Sequence, residues 1–219
     1  MLANRFLRRL STVVAVVAVT PAAFAGPPLI CHPFVTDATA PLLLWAPGDN
    51  FYSPHPDYDV TALTADTLEL LSPAAPILAR MENMRRAAIY AEQNAVVAAA
   101  LLDAVLERTR LPHADSRAAA LAWFDAGYLL ETYRQLDLVY RHGMRTAGGR
   151  RSMIAVEHAD LDGYALVQKA LGQAPLAEIE FAASLMTERA VAAAHRHSAE
   201  LGASQDPYLR RNLAAFATD

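Results

Sequence analysis

Seven prolines crowd into residues 26–58 (Pro27, Pro28, Pro33, Pro41, Pro47, Pro54 and Pro56), and their density constrains the fold more than any other feature of the chain. Proline fixes φ, removes a backbone donor and clashes with the preceding turn, so extended or turn backbone is left where a helix would otherwise run. Yet the same stretch carries Leu42-Leu43-Leu44-Trp45 and Phe51-Tyr52. That apolar content is wrong for a disordered linker. Residues 26–58 are therefore expected to form an extended arm that lies across a folded body and buries these side chains.

The body, residues 59–219, reads as helical. Alanine abounds and glycine is scarce, with 9 glycines in 219 residues, which favours helix. Asp59 is a suitable N-cap for a short helix to Leu71, closed by Ser72-Pro73. A second helix is expected from Pro76 to Tyr90, with Ile77, Met81, Met84 and Ala88 in one apolar stripe. A third spans Asn94 to Thr109 and a fourth Asp115 to His142, followed by a loop at Gly148-Gly149. A fifth begins at Asp160 or Asp162 and ends at Leu171-Gly172, a sixth runs from Pro175 to Leu201, and a last one follows Asp206-Pro207. No strand alternation of useful length occurs. Helices joined by short connections pack as antiparallel neighbours. The expected fold is thus all-α: stacked antiparallel helical hairpins behind a Pro-rich N-terminal arm.

The first 25 residues read as a cleavable secretory signal. Arg5, Arg8 and Arg9 precede the apolar run Val13 to Val19, and Ala23-Phe24-Ala25 is a small-x-small cleavage site. The apolar run is shorter than the roughly 20 residues a bilayer span needs, so no membrane span is expected after cleavage. Removing these three arginines from 19 basic residues leaves 16 against 23 acidic ones, a net charge of −7. Nucleic acid and anionic membrane surfaces reward a basic face, so neither is expected as a partner. The expected location is periplasmic or secreted. Cys31 is the only cysteine, so no intramolecular disulfide can form.

Gly127-Tyr128-Leu129-Leu130 is echoed by Gly163-Tyr164-Ala165-Leu166, 36 positions later. That spacing is near the 34-residue period of tetratricopeptide repeats. Trp123-x2-Ala126-Gly127-x2-Leu130 resembles in part the opening W-x2-L-G-x2-Y of such a repeat, although the second-helix Ala and Phe and the closing Pro do not follow. The glycine of each copy would let two helices approach closely. The segments Leu29-Ile30-Cys31-His32-Pro33-Phe34, Leu78-Ala79-Arg80-Met81-Glu82, Ala122-Trp123-Phe124-Asp125-Ala126-Gly127-Tyr128 and Leu161-Asp162-Gly163-Tyr164-Ala165-Leu166 are similar to a family of uncharacterised exported bacterial proteins. That resemblance implies an exported helical protein and carries no chemistry.

Several residues could bear chemistry. Cys31 and His32 offer sulfur and imidazole, good copper or zinc ligands, with His55 as a conceivable third. Adjacent residues on an extended chain point apart, and a Cys packed as a small hydrophobe is the favoured account. His195 and His197 lie about 200° apart on a helix and cannot share an ion. His158-Ala159-Asp160-Leu161-Asp162-Gly163 fails as a calcium loop and reads instead as helix capping. Arg141, His142, Arg145, Arg150 and Arg151 cluster around a glycine-bearing loop, as positive charge does at a helix C-terminus. Met81 and Met84 read as core, Asp125 and Glu131 as divergent carboxylates, and Glu82 with Arg85 or Arg86 as a surface ion pair. No metalloprotease, nucleophile-elbow, phosphate-loop or dinucleotide motif occurs.

The residues together point to a non-catalytic, exported helical module that binds a protein or peptide in a groove. Trp45, Trp123, Tyr128 and Tyr164 would be its groove or core aromatics, and no cofactor is expected. The alternatives are a metal- or thiol-handling protein using Cys31 and His32, or an enzyme of another type whose His and carboxylate side chains converge in a pocket.

Overall fold

The computed structural model of the chain describes residues 28–48, 52–141 and 152–216. The secretory leader expected over residues 1–25, the Gly148-Gly149 loop and most of the arginine cluster around it lie outside the described residues. What is described is all-α: α1 (Pro28–Cys31), α2 (Leu63–Leu70), α3 (Ile77–Ala91), α4 (Ala95–Arg108), α5 (Ser116–Arg141), α6 (Gly163–Gln173), α7 (Ala177–Ser184), α8 (Arg189–Gly202) and α9 (Pro207–Ala215). Among the described residues the only β pairing is a single bridge between Trp45 and Pro54.

Short polar side chains start four of the nine helices described. Asn94 accepts from the N–H groups of Val96 and Val97 at the head of α4, Asp162 from Ala165 on α6, and Asp206 from Tyr208 and Leu209 on α9. Asp115 accepts from Ala118 at the start of α5. Asp59 caps a short 3-10 turn, Val60–Ala62, that leads into α2.

Helix α5, 26 residues and about 39 Å long at the usual rise, is the spine, packed against α3, α4 and α6. Its contact with α6 centres on Gly127 and Gly163, and Lys169 further along α6 lies over Trp123, so the two helices run antiparallel. Helix α3 is central: of its 15 residues, all but Arg86 are buried. A helix buried all round is ordinarily apolar all round. This one carries Arg80, Glu82, Asn83 and Arg85 inside, and can do so because each finds partners there.

Three expectations need correction. The helix expected from Pro175 to Leu201 is two helices, α7 and α8, broken at residues 185–188. No proline or glycine marks the break. Instead the hydroxyls of Ser184 and Thr187 donate back to the carbonyls of Phe181 and Ala183, and Glu188 turns extended to open α8. The chain doubles back, so that Gly202 meets Ala177. One helical turn, α1, forms within the proline-rich stretch, because Pro28 stands at its first position, where a missing N–H costs nothing. Glu82 and Arg85 are not a surface pair: each is 1% exposed. Their spacing is that of an exposed pair, but α3 has no exposed face.

The segment 28–48 contributes Leu29, Ile30, Phe34 and Leu43 to the core. Phe34 stacks on Phe216 at 5.6 Å and meets Phe181 and Tyr128 edge-on, joining α5, α7 and the end of α9. Met81 and Met84 are fully buried core residues, as their stripe implied.

Candidate functional site

Side chains of α3, together with Gln135 of α5 and Asn212 of α9, take the main chain of segment 28–48 as their partner. Asn83 accepts from the Leu43 N–H at 2.8 Å and donates to the Pro41 carbonyl at 3.1 Å. Arg86 donates to the Leu43 carbonyl at 2.6 Å and Tyr90 to that of Leu44 at 2.5 Å. The Tyr90 oxygen in turn accepts from the His55 N–H at 2.9 Å. Glu82 accepts from the Phe34 N–H at 3.1 Å, Gln135 from the Leu29 N–H at 2.9 Å, and Arg85 donates to the Ile30 carbonyl at 3.4 Å. Asn212 takes both main-chain groups of Val35, N–H at 3.0 Å and C=O at 2.8 Å, as a neighbouring β-strand would.

The charges in this row support one another. Arg85 donates to Glu82 through Nε and Nη2 at 2.9 and 2.7 Å, and Arg86 through Nε at 2.8 Å. Burial works to raise the Glu82 pKa, but the bonds and charges of Arg85 and Arg86 outweigh it and hold the carboxyl below its usual range. Both guanidinium carbons lie over Trp45, 5.3 and 5.4 Å from its ring centroid, and Tyr90 meets that ring edge-on. The sequence separates Trp45 from these cations by some 40 positions, so no local spacing could have joined them.

A second buried cluster sits under the turn between α2 and α3. Arg80 bonds Asp125 at 2.6 Å, and Arg108 reaches the same carboxylate oxygen at 3.3 Å. Arg80 also donates to the carbonyls of Leu71, Ser72 and Ala75, and Arg108 to Leu71. Burial raises the Asp125 pKa against the opposing charges of Arg80 and Arg108.

A third cluster joins α6, α7 and α8. The Tyr164 hydroxyl lies 2.8 Å from His195 Nε2, and His195 Nδ1 lies 2.5 Å from Glu180 Oε2. Gln168, one turn along α6, donates to the Tyr164 oxygen at 2.6 Å. Burial raises the Tyr164 pKa, while the Gln168 bond works to lower it. Glu180 and His195 come together only because the chain folds back between α7 and α8, the break that carries no sequence signal.

The remaining candidates separate. Tyr128 is fully buried, a core aromatic with no place in a groove. Trp123 is half-buried under the Lys169 ammonium, 4.7 Å from its ring centroid. Cys31 is half-buried, and burial pushes its thiol up, away from the thiolate that binds metals. His32 packs edge-on against Phe216. His55 accepts from the Asp57 N–H through Nδ1. Among the described residues no three His, Cys, Asp or Glu side chains gather to hold a metal ion. His158 pairs with Asp103 at 2.5 Å, and Asp162 caps α6. His197 is exposed, apart from the His195 cluster. Asp125 and Glu131 diverge, the latter beside Gly163 and Arg134.

Among the described residues no helix is long and apolar enough to cross a membrane. Set against protein-family models, curated proteins and solved structures, the chain matches none of them.

Proposed function

We propose that the chain is an exported, non-catalytic helical module that holds an extended peptide by its backbone, and that residues 28–48 fill this surface in cis. The observation behind the reading is the row of Glu82, Asn83, Arg86, Tyr90, Gln135 and Asn212, whose partners are main-chain groups of that segment. Such contacts are indifferent to the sequence of whatever occupies the surface. Leu29, Ile30, Phe34 and Leu43 supply the anchors between them. Burying one such side chain is worth about 1.5–3 kcal/mol, against about 0.5–1.5 kcal/mol for a hydrogen bond. Affinity would thus come from the anchors and register from the polar row.

The same proposal takes residues 1–25 as the export leader and 26–58 as a strap over stacked helical hairpins. The approach of Gly127 to Gly163 supports a degenerate tetratricopeptide-like pair in α5 and α6. Of the four aromatics expected in a groove or core, Trp45, Trp123 and Tyr164 remain partly exposed.

The test is a chain carrying a protease site inserted at positions 49–51, cleaved while folded and offered a fluorescent peptide of residues 27–48. Saturable uptake is expected, weakened in N83A and N212A. A peptide retaining only Leu29, Ile30, Phe34 and Leu43 should compete. Failure to take up the peptide, or uptake indifferent to both asparagines, removes the reading.

A second reading, an enzyme, is favoured by the Glu180–His195–Tyr164 line. A base oriented by a carboxylate and bonded to a hydroxyl is what proton transfer to a substrate needs. Hydrolysis of a p-nitrophenyl ester panel, compared between the native chain and His195→Ala, tests it; equal background rates end it.

A further inference from the structure

We infer that the cleft between the α2–α3 turn and the α4–α5 connection binds a short monocarboxylate. The cleft, about 130 Å³, is lined by Pro73, Arg80, Arg108, Leu111, His113 and Leu121, with Ala118 and Ala122 at its α5 wall. It lies apart from the surface that holds segment 28–48, and nothing in the preceding proposal uses it.

Charge comes first. Arg80 and Arg108 share a single oxygen of Asp125, so two guanidiniums are balanced by one carboxylate and the cluster keeps a positive charge. The donors of Arg80 are turned to Asp125 and three carbonyls, so it supplies field more than contacts. Arg108 is a quarter exposed, and its bonds to Asp125 and Leu71 use two of the five N–H donors of a guanidinium. Such a group at the wall of a low-dielectric cleft is suited to a planar carboxylate.

The second observation is independent of the arginines. His113 Nε2 is buried and meets no hydrogen-bond partner, although the residue lines this cleft. That nitrogen has no surface a water-sized group can touch, so a carboxylate oxygen would meet it only once the half-buried imidazole turns toward the cleft; a bond from its N–H would then remove the cost of leaving it alone. Size and polarity then narrow the ligand. A cavity of about 150 Å³ holds one benzene, so a cleft of about 130 Å³ takes a ligand of about six heavy atoms: a carboxylate and three carbons. Pro73, Leu111 and Leu121 offer the tail an apolar wall. An inorganic phosphate would leave that wall unused and bring more charge than the cluster can balance.

The experiment is calorimetric titration of the full chain with butanoate, with butan-1-ol and inorganic phosphate as the other arms. Two variants accompany it: His113→Ala, in the connection, and Ala118→Leu, which fills the cleft without altering any charge. Saturable butanoate binding is expected, with neither butan-1-ol nor phosphate matching it. Each variant with an unchanged helical circular-dichroism spectrum should weaken it by about tenfold, the scale of one lost directional contact. Absence of saturable binding, equal binding of the alcohol, preference for phosphate, or full binding in a folded His113→Ala chain would overturn the proposal.

Discussion

Gly127 and Gly163 face each other where α5 and α6 cross, each filling the space in which the other would need a Cβ. A Cβ on Gly127 would stand 2.5 Å from the Gly163 carbonyl oxygen, and one on Gly163 would stand 2.7 Å from that of Gly127. The obstacle is backbone on both sides, so no rotamer change relieves it, and the helices must separate. Alanine should improve helix propensity by about 1 kcal/mol, but overpacking costs about 1–3 kcal/mol and here falls at the heavy end. Gly127→Ala and Gly163→Ala should therefore each destabilise by about 2 kcal/mol in urea denaturation. Gly172→Ala, a helical position with nothing within 4 Å of its added carbon, should stabilise by up to about 1 kcal/mol. If the crossing glycines behave like Gly172, the close approach is unimportant.

That crossing shows where the sequence was readable. The Gly-Tyr echo marks both glycines, because a glycine inside a helical pattern needs a packing reason. The tyrosines of the echo then part company, Tyr128 to the core and Tyr164 to the His195 cluster. Helix starts were legible because Asn94, Asp162 and Asp206 act within three residues. What could not be read is long-range: Glu82 at its i,i+3 and i,i+4 spacing looks like a solvated pair until the chain from residue 28 to 48 is laid over it. Likewise, Glu180 and His195 meet only through a helix break that their composition hides.

Glu82 gives a prediction with a pH sign. Replacing it by Gln leaves Arg85 buried without its counter-charge, and breaking a buried pair from one side costs about 3–5 kcal/mol. The Glu82 carboxyl titrates lower in the folded chain than in the unfolded one. Its contribution is therefore complete above the unfolded carboxylate value, near about 4.3, and fades as pH falls through the lower folded value. Asp125, raised by burial, acts in the opposite sense, so the variant must be compared with the native chain at each pH. The stability gap between native and Glu82→Gln chains should stay level from pH 7 to 5 and narrow below about 4. A gap unchanged at pH 3 would mean that the carboxylate charge does not hold the cluster.

Asn83 and Asn212 each satisfy two main-chain groups of the 28–48 segment. Truncating either to alanine strands an N–H and a carbonyl, a cost of about 2 kcal/mol. Hydrogen exchange locates it. The Leu43 amide should lose protection in Asn83→Ala while Val35 keeps its own, and Asn212→Ala should do the reverse. Loss spread evenly through α3 and α5 in both variants would mean that the segment is not held at separate points.

Tyr164 offers the most local test, because its neighbours push its ionisation in opposite directions. Burial and the nearby Glu180 and Asp162 charges raise its pKa, and the bond from Gln168 lowers it. Gln168→Ala removes a side-chain bond that favours the phenolate, so the Tyr164 titration should move to higher pH. Glu180→Gln removes a repelling charge and should move it lower. The ring signals of Tyr164, followed by NMR from pH 8 to the alkaline limit of the folded chain, report both shifts directly. The opposing pair matters more than either alone: a general change in burial would move the two variants together. Shifts in the same direction would show that Gln168 and Glu180 do not act on the phenol through the contacts seen between α6, α7 and α8.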